Sequence, residues 1–241
     1  MEDDAMDSAS VAAALQGRQA VYTLLARAWA DALDADAASV LGSSDWETVL
    51  ALFEEDGGQS PVGQWRAVAA AIDRWGVADA ERAFNWCFMG VGTRVAPWES
   101  VYVTGERLVF QPSTLAVREA YAAWGLAARK KGSEPDDHIA TECDFMAKMA
   151  QRAAGAFSDG DDVGCKKALV ASRAFLSDHL ASFAVELGRS LAQACEEAVE
   201  AGVGSAEVVE CALALYGELS RFSAAFFECD GKLIDELIGA L

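Results

Sequence analysis

Val101-Tyr102-Val103-Thr104-Gly105-Glu106-Arg107-Leu108-Val109-Phe110 is the stretch that decides the fold class of this 241-residue chain. β-Branched and aromatic residues flank a Gly-Glu pair, and local rules read such a pattern as a hairpin, with strands at 101–104 and 107–110. It lies within 90–113, the largest segment that breaks the helical pattern. If it is a loop, the chain is all-α.

Outward from it, apolar residues recur at intervals of three and four, the period of a helix with one buried face. Val11, Leu15, Tyr22, Leu25 and Trp29 mark a first helix running to about Leu33. Ser44 followed by Glu47 reads as a capping box opening a second, with Val49, Leu50 and Phe53 inward. The run from Asp56 to Pro61 is a break. Trp65, Val68, Ile72 and Trp75 stripe a third helix that stops near Gly76, and a fourth spans about 79–89. Beyond 113, helices are expected at 115–129, 135–155 and 163–176. Further stripes start at Leu180, Val208 and Leu233. The expected architecture is one all-α domain of about eight to ten helices at 11–241 with a long central loop. An acidic flexible tail is expected at 1–10.

Composition narrows the function classes. The formal net charge is −19, which disfavours nucleic acid, since phosphate binding needs a basic face. A basic peptide or a basic protein surface is the natural partner. The six cysteines include no Cys-x-x-Cys pair. They read as reduced, partly buried thiols, neither a metal site nor a disulfide scaffold. No apolar run reaches the roughly 18 residues of a membrane span, and the acidic N-terminus lacks the basic region of an export signal. The expected compartment is the cytoplasm, without stable membrane insertion.

Enzyme readings find little support. Of the two histidines, neither lies near a nucleophile motif. His179, in Ser177-Asp178-His179-Leu180, reads as structural, with Ser177 or Asp178 capping a helix. His138 and Glu142 share a helix face, but one histidine with carboxylates is a loose metal pattern. Gly90-Val91-Gly92 lacks the third glycine and the preceding strand of a dinucleotide fingerprint. No metal, cofactor or catalytic residue is assigned.

Two short segments carry more. In Glu134-Pro135-Asp136-Asp137-His138-Ile139, Pro135 suits the first helical position. Asp136 and Asp137 then face the positive end of the helix dipole, worth about 0.3–1 kcal/mol each. Helix initiation accounts for everything in the run except His138, so a structural and a recognition role both stand. In Ala96-Pro97-Trp98-Glu99-Ser100-Val101-Tyr102, Trp98 offers an apolar plate with an acid beside it. It fills a core gap, or it receives an apolar segment that carries positive charge. Phe84, Trp86 and Phe88 add aromatic area nearby.

With these segments in view, the chain resembles the TorD/DmsD family of redox-enzyme maturation chaperones. The likeness runs in order from Arg18-Gln19-Ala20-Val21-Tyr22 through Phe84-Asn85-Trp86-Cys87-Phe88-Met89-Gly90 and Ala96–Tyr102. It continues through Arg107–Gln111 and Tyr121-x-x-Trp124-Gly125-Leu126 to Glu134–Ile139 with Glu142, Phe145 and Met146, and a weaker element at His179-Leu180. Cys87 stands where the family usually has leucine, and Val91 where proline often follows the glycine. The resemblance implies an all-α fold, so that the hairpin gives way to a loop. It implies a chaperone that binds the twin-arginine leader and precursor of a molybdenum-cofactor oxidoreductase, delaying export and assisting cofactor insertion. The leader-binding surface it implies comprises Phe84, Phe88, Pro97, Trp98, Asp137 and His138, with Glu99, Glu134 and Asp136 nearby. The competing readings are an acidic helical adaptor without leader specificity and a nucleotide-linked binding protein. Joints such as 159–162 permit segment exchange between protomers, which would make a domain-swapped homodimer.

Overall fold

Helix α1 (Ser8–Ala30) starts where Asp7 Oδ1 accepts the Ser10 N–H at 2.8 Å. The structure, a computed structural model, describes residues 6–54, 60–89, 93–103, 111–128 and 135–241. The same device opens other helices, because short polar side chains satisfy N–H groups that a first turn leaves unpaired. Asp34 caps α2 (Ala35–Leu41), Ser60 caps α4 (Pro61–Phe88) and Asp161 caps α8 (Asp162–Phe175).

Ser44 does not form the expected capping box. It precedes α3 (Asp45–Leu50) in helical geometry, φ −66° and ψ −15°, with no side-chain cap. Glu47 is drawn away by Arg66, whose Nε and Nη2 donate to its carboxylate at 2.9 and 2.8 Å. The expected stop at Gly76 is real: Gly76 takes φ 70° and ψ 176° and divides α4 into two legs. A Cβ there would meet nothing within 4 Å, so backbone conformation alone calls for glycine.

The hairpin gives way at its first strand. Ser100–Val103 is a single helical turn, α5, in which Tyr102 N–H reaches Glu99 O at 2.9 Å. Residues 104–110 lie outside the described part. After α6 (Pro112–Ala123), α7 (Ile139–Ser158) begins later than its proline suggests. Its N-cap is His138, so Asp136 and Asp137 precede the helix and do not form its first turn.

Two π-helical turns join long rods. Leu176–Leu180 links α8 to α9 (Ala181–Ala201), and Leu213–Gly217 links α10 (Ala206–Ala212) to α11 (Glu218–Ala240). The helix runs through Ser177 and Asp178, and neither caps it. With each joined pair counted once, the described residues form nine helices, and no strand occurs among them. The protein is all-α.

α7 lies between α1 and α8, while α11 packs on α4, α8 and α9. Alanines on the buried sides of α1 and α7, among them Ala14, Ala28, Ala147 and Ala150, permit close axial approach. α11 is tied to α1 by a buried ion pair. Arg18 Nε donates to Asp230 Oδ1 at 2.6 Å and Nη2 to Oδ2 at 3.2 Å, and Tyr22 OH donates to Oδ2 at 2.7 Å. All six cysteines are buried thiols outside any disulfide. Among the described residues no helix is long and apolar enough to cross a membrane.

Candidate functional site

The two segments singled out in the sequence meet as an isolated antiparallel bridge between Trp98 and His138. Ile139 N–H donates to Pro97 O and Glu99 N–H to Asp137 O, both at 3.0 Å. Asp137 Oδ2 accepts the Ser100 N–H at 2.7 Å and so caps α5 from across the bridge. His138 Nδ1 accepts the Ala140 N–H at 3.1 Å, which makes that nitrogen the acceptor and fixes the ring at the mouth of α7. The Trp98 and His138 rings stand edge to face, 6.1 Å apart at 80°.

α6 holds the turn before α7 from outside. Arg118 donates to Asp136 Oδ2 through Nε at 3.0 Å and Nη2 at 2.5 Å. The Tyr121 hydroxyl donates to Asp136 O at 3.2 Å. On the other side, Tyr102 OH donates to Ala96 O at 2.7 Å, and Val95 N–H to Cys87 O at 3.1 Å. These bonds anchor an irregular segment that carries no regular backbone pairing of its own.

The structure therefore brings together Pro97, Trp98, Glu99, Asp136, Asp137 and His138. Asp136, Asp137 and Glu99 are buried, and each is engaged within the protein. Trp98 is partly exposed, and among the described residues its indole N–H meets no acceptor. Phe84 and Phe88 lie in the core, against Tyr216 at 5.8 and 5.3 Å between ring centroids, with Phe88 also edge-on to Trp29. Glu134 falls outside the described residues.

Other participants are not marked as binding residues by the sequence. His179, in the π-turn after α8, places Nδ1 3.0 Å from Glu99 Oε2 and 3.2 Å from Oε1. Its ring rests on Phe175, 4.7 Å away. Beside this pair lies a groove of about 640 Å³ between α5, the start of α6 and α9. Glu99, Asp178 and Glu186 give it an acidic character, and Tyr102, Val103, Ala116 and Phe183 give it an apolar wall. Glu186 also pairs with Arg189 one turn along α9. Nothing along the chain announces that positions 99, 178 and 186 converge.

Glu142, whose carboxyl interacts with that of Glu99, is fully buried, and among the described residues neither of its carboxyl oxygens has a hydrogen-bond partner. Burial, reinforced by the Glu99 and Asp137 carboxylates, pushes its carboxyl well above the ordinary range. Burial, with Glu142 next, also raises the Tyr121 phenol. No group of three or more His, Cys, Asp or Glu among the described residues could hold a metal ion. The arrangement can receive positive charge beside apolar surface.

A family model described as nitrate reductase delta subunit matches residues 55–188, more than half of the chain. The chain is also similar to proteins named chaperone protein TorD. One, from Vibrio cholerae serotype O1, is 28% identical over 142 residues, covering 59% of this chain and 56% of the relative. Another, from Photobacterium profundum, is 26% identical over 153 residues, covering 62% of this chain and 68% of the relative. The chain thus spans little more than half the length of the Vibrio relative it matches. These relatives carry the name of a chaperone and not of an enzyme.

Proposed function

The chain belongs to the nitrate reductase delta subunit family of TorD-type chaperones, and from that premise we propose that it is a maturation chaperone for a redox enzyme. Its client is the precursor of a molybdenum-cofactor oxidoreductase, engaged through a twin-arginine leader and held back from export until the cofactor is loaded. One observation carries the reading. The groove sets the carboxylates Glu99, Asp178 and Glu186 beside Tyr102, Val103 and Phe183, and a leader of this kind sets arginines beside an apolar stretch. Arginine meets carboxylate through a planar fork of donors, a geometry that lysine does not reproduce.

Trp98 and His138 extend this surface at the bridge, while Asp136 and Asp137 act as positioning residues. A chain of net charge −19 attracts a basic leader over the roughly 8–10 Å that physiological salt allows. Calorimetry with a synthetic leader peptide tests the proposal. Replacing both arginines with glutamine should weaken binding by roughly tenfold or more (about 1.4 kcal/mol). Equal affinity for the two peptides would remove the arginine-reading function. Lysine replacement that leaves affinity intact, with binding that collapses as salt rises, would favour the plain acidic adaptor.

A further inference from the structure

A buried acid neighbours Glu99, one of the residues that line the groove. Glu142, in the first turn of α7, is 0% exposed, as is Asp137, and Glu99 is 2% exposed. Both Glu142 oxygens and Asp137 Oδ1 lack partners among the described residues. An ionised, unpaired carboxylate in such a place is costly enough that the group keeps its proton instead.

Among the described residues, the groups facing this acid offer no compensating cation. Glu99 and Asp137 come from the bridge segments, and both oppose its ionisation. Tyr121 comes from α6, its hydroxyl committed to Asp136 O, and Arg118 of α6 is held by the Asp136 carboxylate. Cys143 is its neighbour on α7. α1 and α8 pack along α7, and there Arg18 interacts with Tyr22 and Cys165. Arg18 and Tyr22 are committed to Asp230. His138 faces the bridge, and His179 stands beyond Glu99.

Glu99 is the member that touches both regions. Its carboxylate belongs to the buried cluster and also lines the groove, next to Asp178 and Glu186. We infer that the groove is a guanidinium site whose occupation by an arginine side chain expels the proton of Glu142. The inference rests on the leader-binding reading and adds how that site is regulated. The balance is simple: the carboxylic acid of Glu142 becomes a carboxylate, its proton passes to the buffer, and the arriving guanidinium supplies the compensating charge. A cation within about 4–6 Å lowers a carboxyl pKa by about 1–3 units. Binding therefore tightens as pH rises, by up to about tenfold per pH unit where a whole proton is released.

Isothermal titration of a peptide carrying an Arg-Arg pair ahead of an apolar stretch, run in two buffers of different ionisation heat, tests this. The wild type should show buffer-dependent heat equivalent to release of up to about one proton per peptide. Glu142→Gln should bind with heat independent of buffer, and His179→Gln should still release the proton. Binding with buffer-independent heat in the wild type overturns the inference and leaves the leader reading standing. Release that persists in Glu142→Gln and vanishes in His179→Gln overturns the assignment to Glu142. No binding by any form overturns the leader reading and the guanidinium site together. Should Glu142→Gln fail to fold, infrared difference spectra of the wild type decide. The protonated-carboxyl band must lose intensity when the peptide is added, and an unchanged band contradicts the proposal.

Discussion

Asp137 Oδ2 accepts the backbone N–H of Ser100 at 2.7 Å, across 37 positions of sequence. This bond lets the turn before α7 cap the one-turn helix α5, and it fixes Glu99, one residue earlier, at the groove. Asp137→Ala leaves a buried N–H without its acceptor, at a cost of about 1–3 kcal/mol. Urea denaturation should show that loss, and Asp137→Asn should restore part of it. At a temperature where both variants are folded, Asp137→Ala should bind the leader peptide more weakly than Asp137→Asn does. Equal peptide affinity in the two would mean that the bond serves the fold alone.

The Arg18–Asp230 pair makes a contrasting prediction. Both side chains are fully buried, so removing one strands the other charge, at about 3–5 kcal/mol. Arg18→Ala or Asp230→Ala alone should each lower the urea midpoint steeply. The double replacement by apolar residues of similar volume should recover much of the loss. Peptide affinity of whatever fraction remains folded should not change, because the pair joins α1 to α11 away from the groove.

Glu142 gives the stability curve a defined sign. Its folded-state pKa is raised above the ordinary value of 4.5, so the folded chain binds its proton more tightly than the unfolded chain. The resulting stabilisation is complete below about pH 4.5 and is lost as pH climbs through the folded-state value. Glu142→Gln lacks this term. Relative to wild type, the variant should therefore gain stability steadily from about pH 5 upward, as measured by urea denaturation across a pH series. Parallel curves for the two proteins would contradict the burial of an unpaired acid.

The thiols should be silent until the protein opens. Burial pushes Cys195 and Cys211 up to about 11 and also raises Cys87 and Cys143. Because only the thiolate reacts, iodoacetamide at neutral pH should label the native protein slowly and the urea-unfolded chain at all six positions. Peptide mass mapping distinguishes the two states. Rapid native labelling at Cys143 would indicate that the α1–α7 interface opens easily.

The rods are legible where a stripe of large apolar residues faces the core, as with Phe183, Leu187 and Leu191 on α9 or Phe222 and Phe226 on α11. The stop at Gly76 is legible because only glycine takes its conformation without strain. α2 is not, since Ala35–Leu41 carries alanines and no stripe. Pro135 points to a helix start four residues early, because local preference cannot anticipate that Asp136 and Asp137 are taken by Arg118 and Ser100. The Trp98 and His138 segments stand out separately, and their bridge is a tertiary fact. The Glu99–His179 pair, 80 positions apart, leaves no local trace. Neither does the isolation of Glu142, which in sequence looks like any acid two turns into a helix that starts at Pro135.

The most direct test of the central claim, that the acidic wall of the groove reads the leader's arginines, is a double-mutant cycle in binding free energy. One side exchanges the leader's two arginines for glutamine, and the other replaces Asp178 with Asn and Glu186 with Gln, both at the solvent-facing rim. Direct contact predicts that the two changes are not additive, with a coupling of about 1 kcal/mol or more. Strict additivity would mean that the arginines, if they bind, are read elsewhere on the molecule.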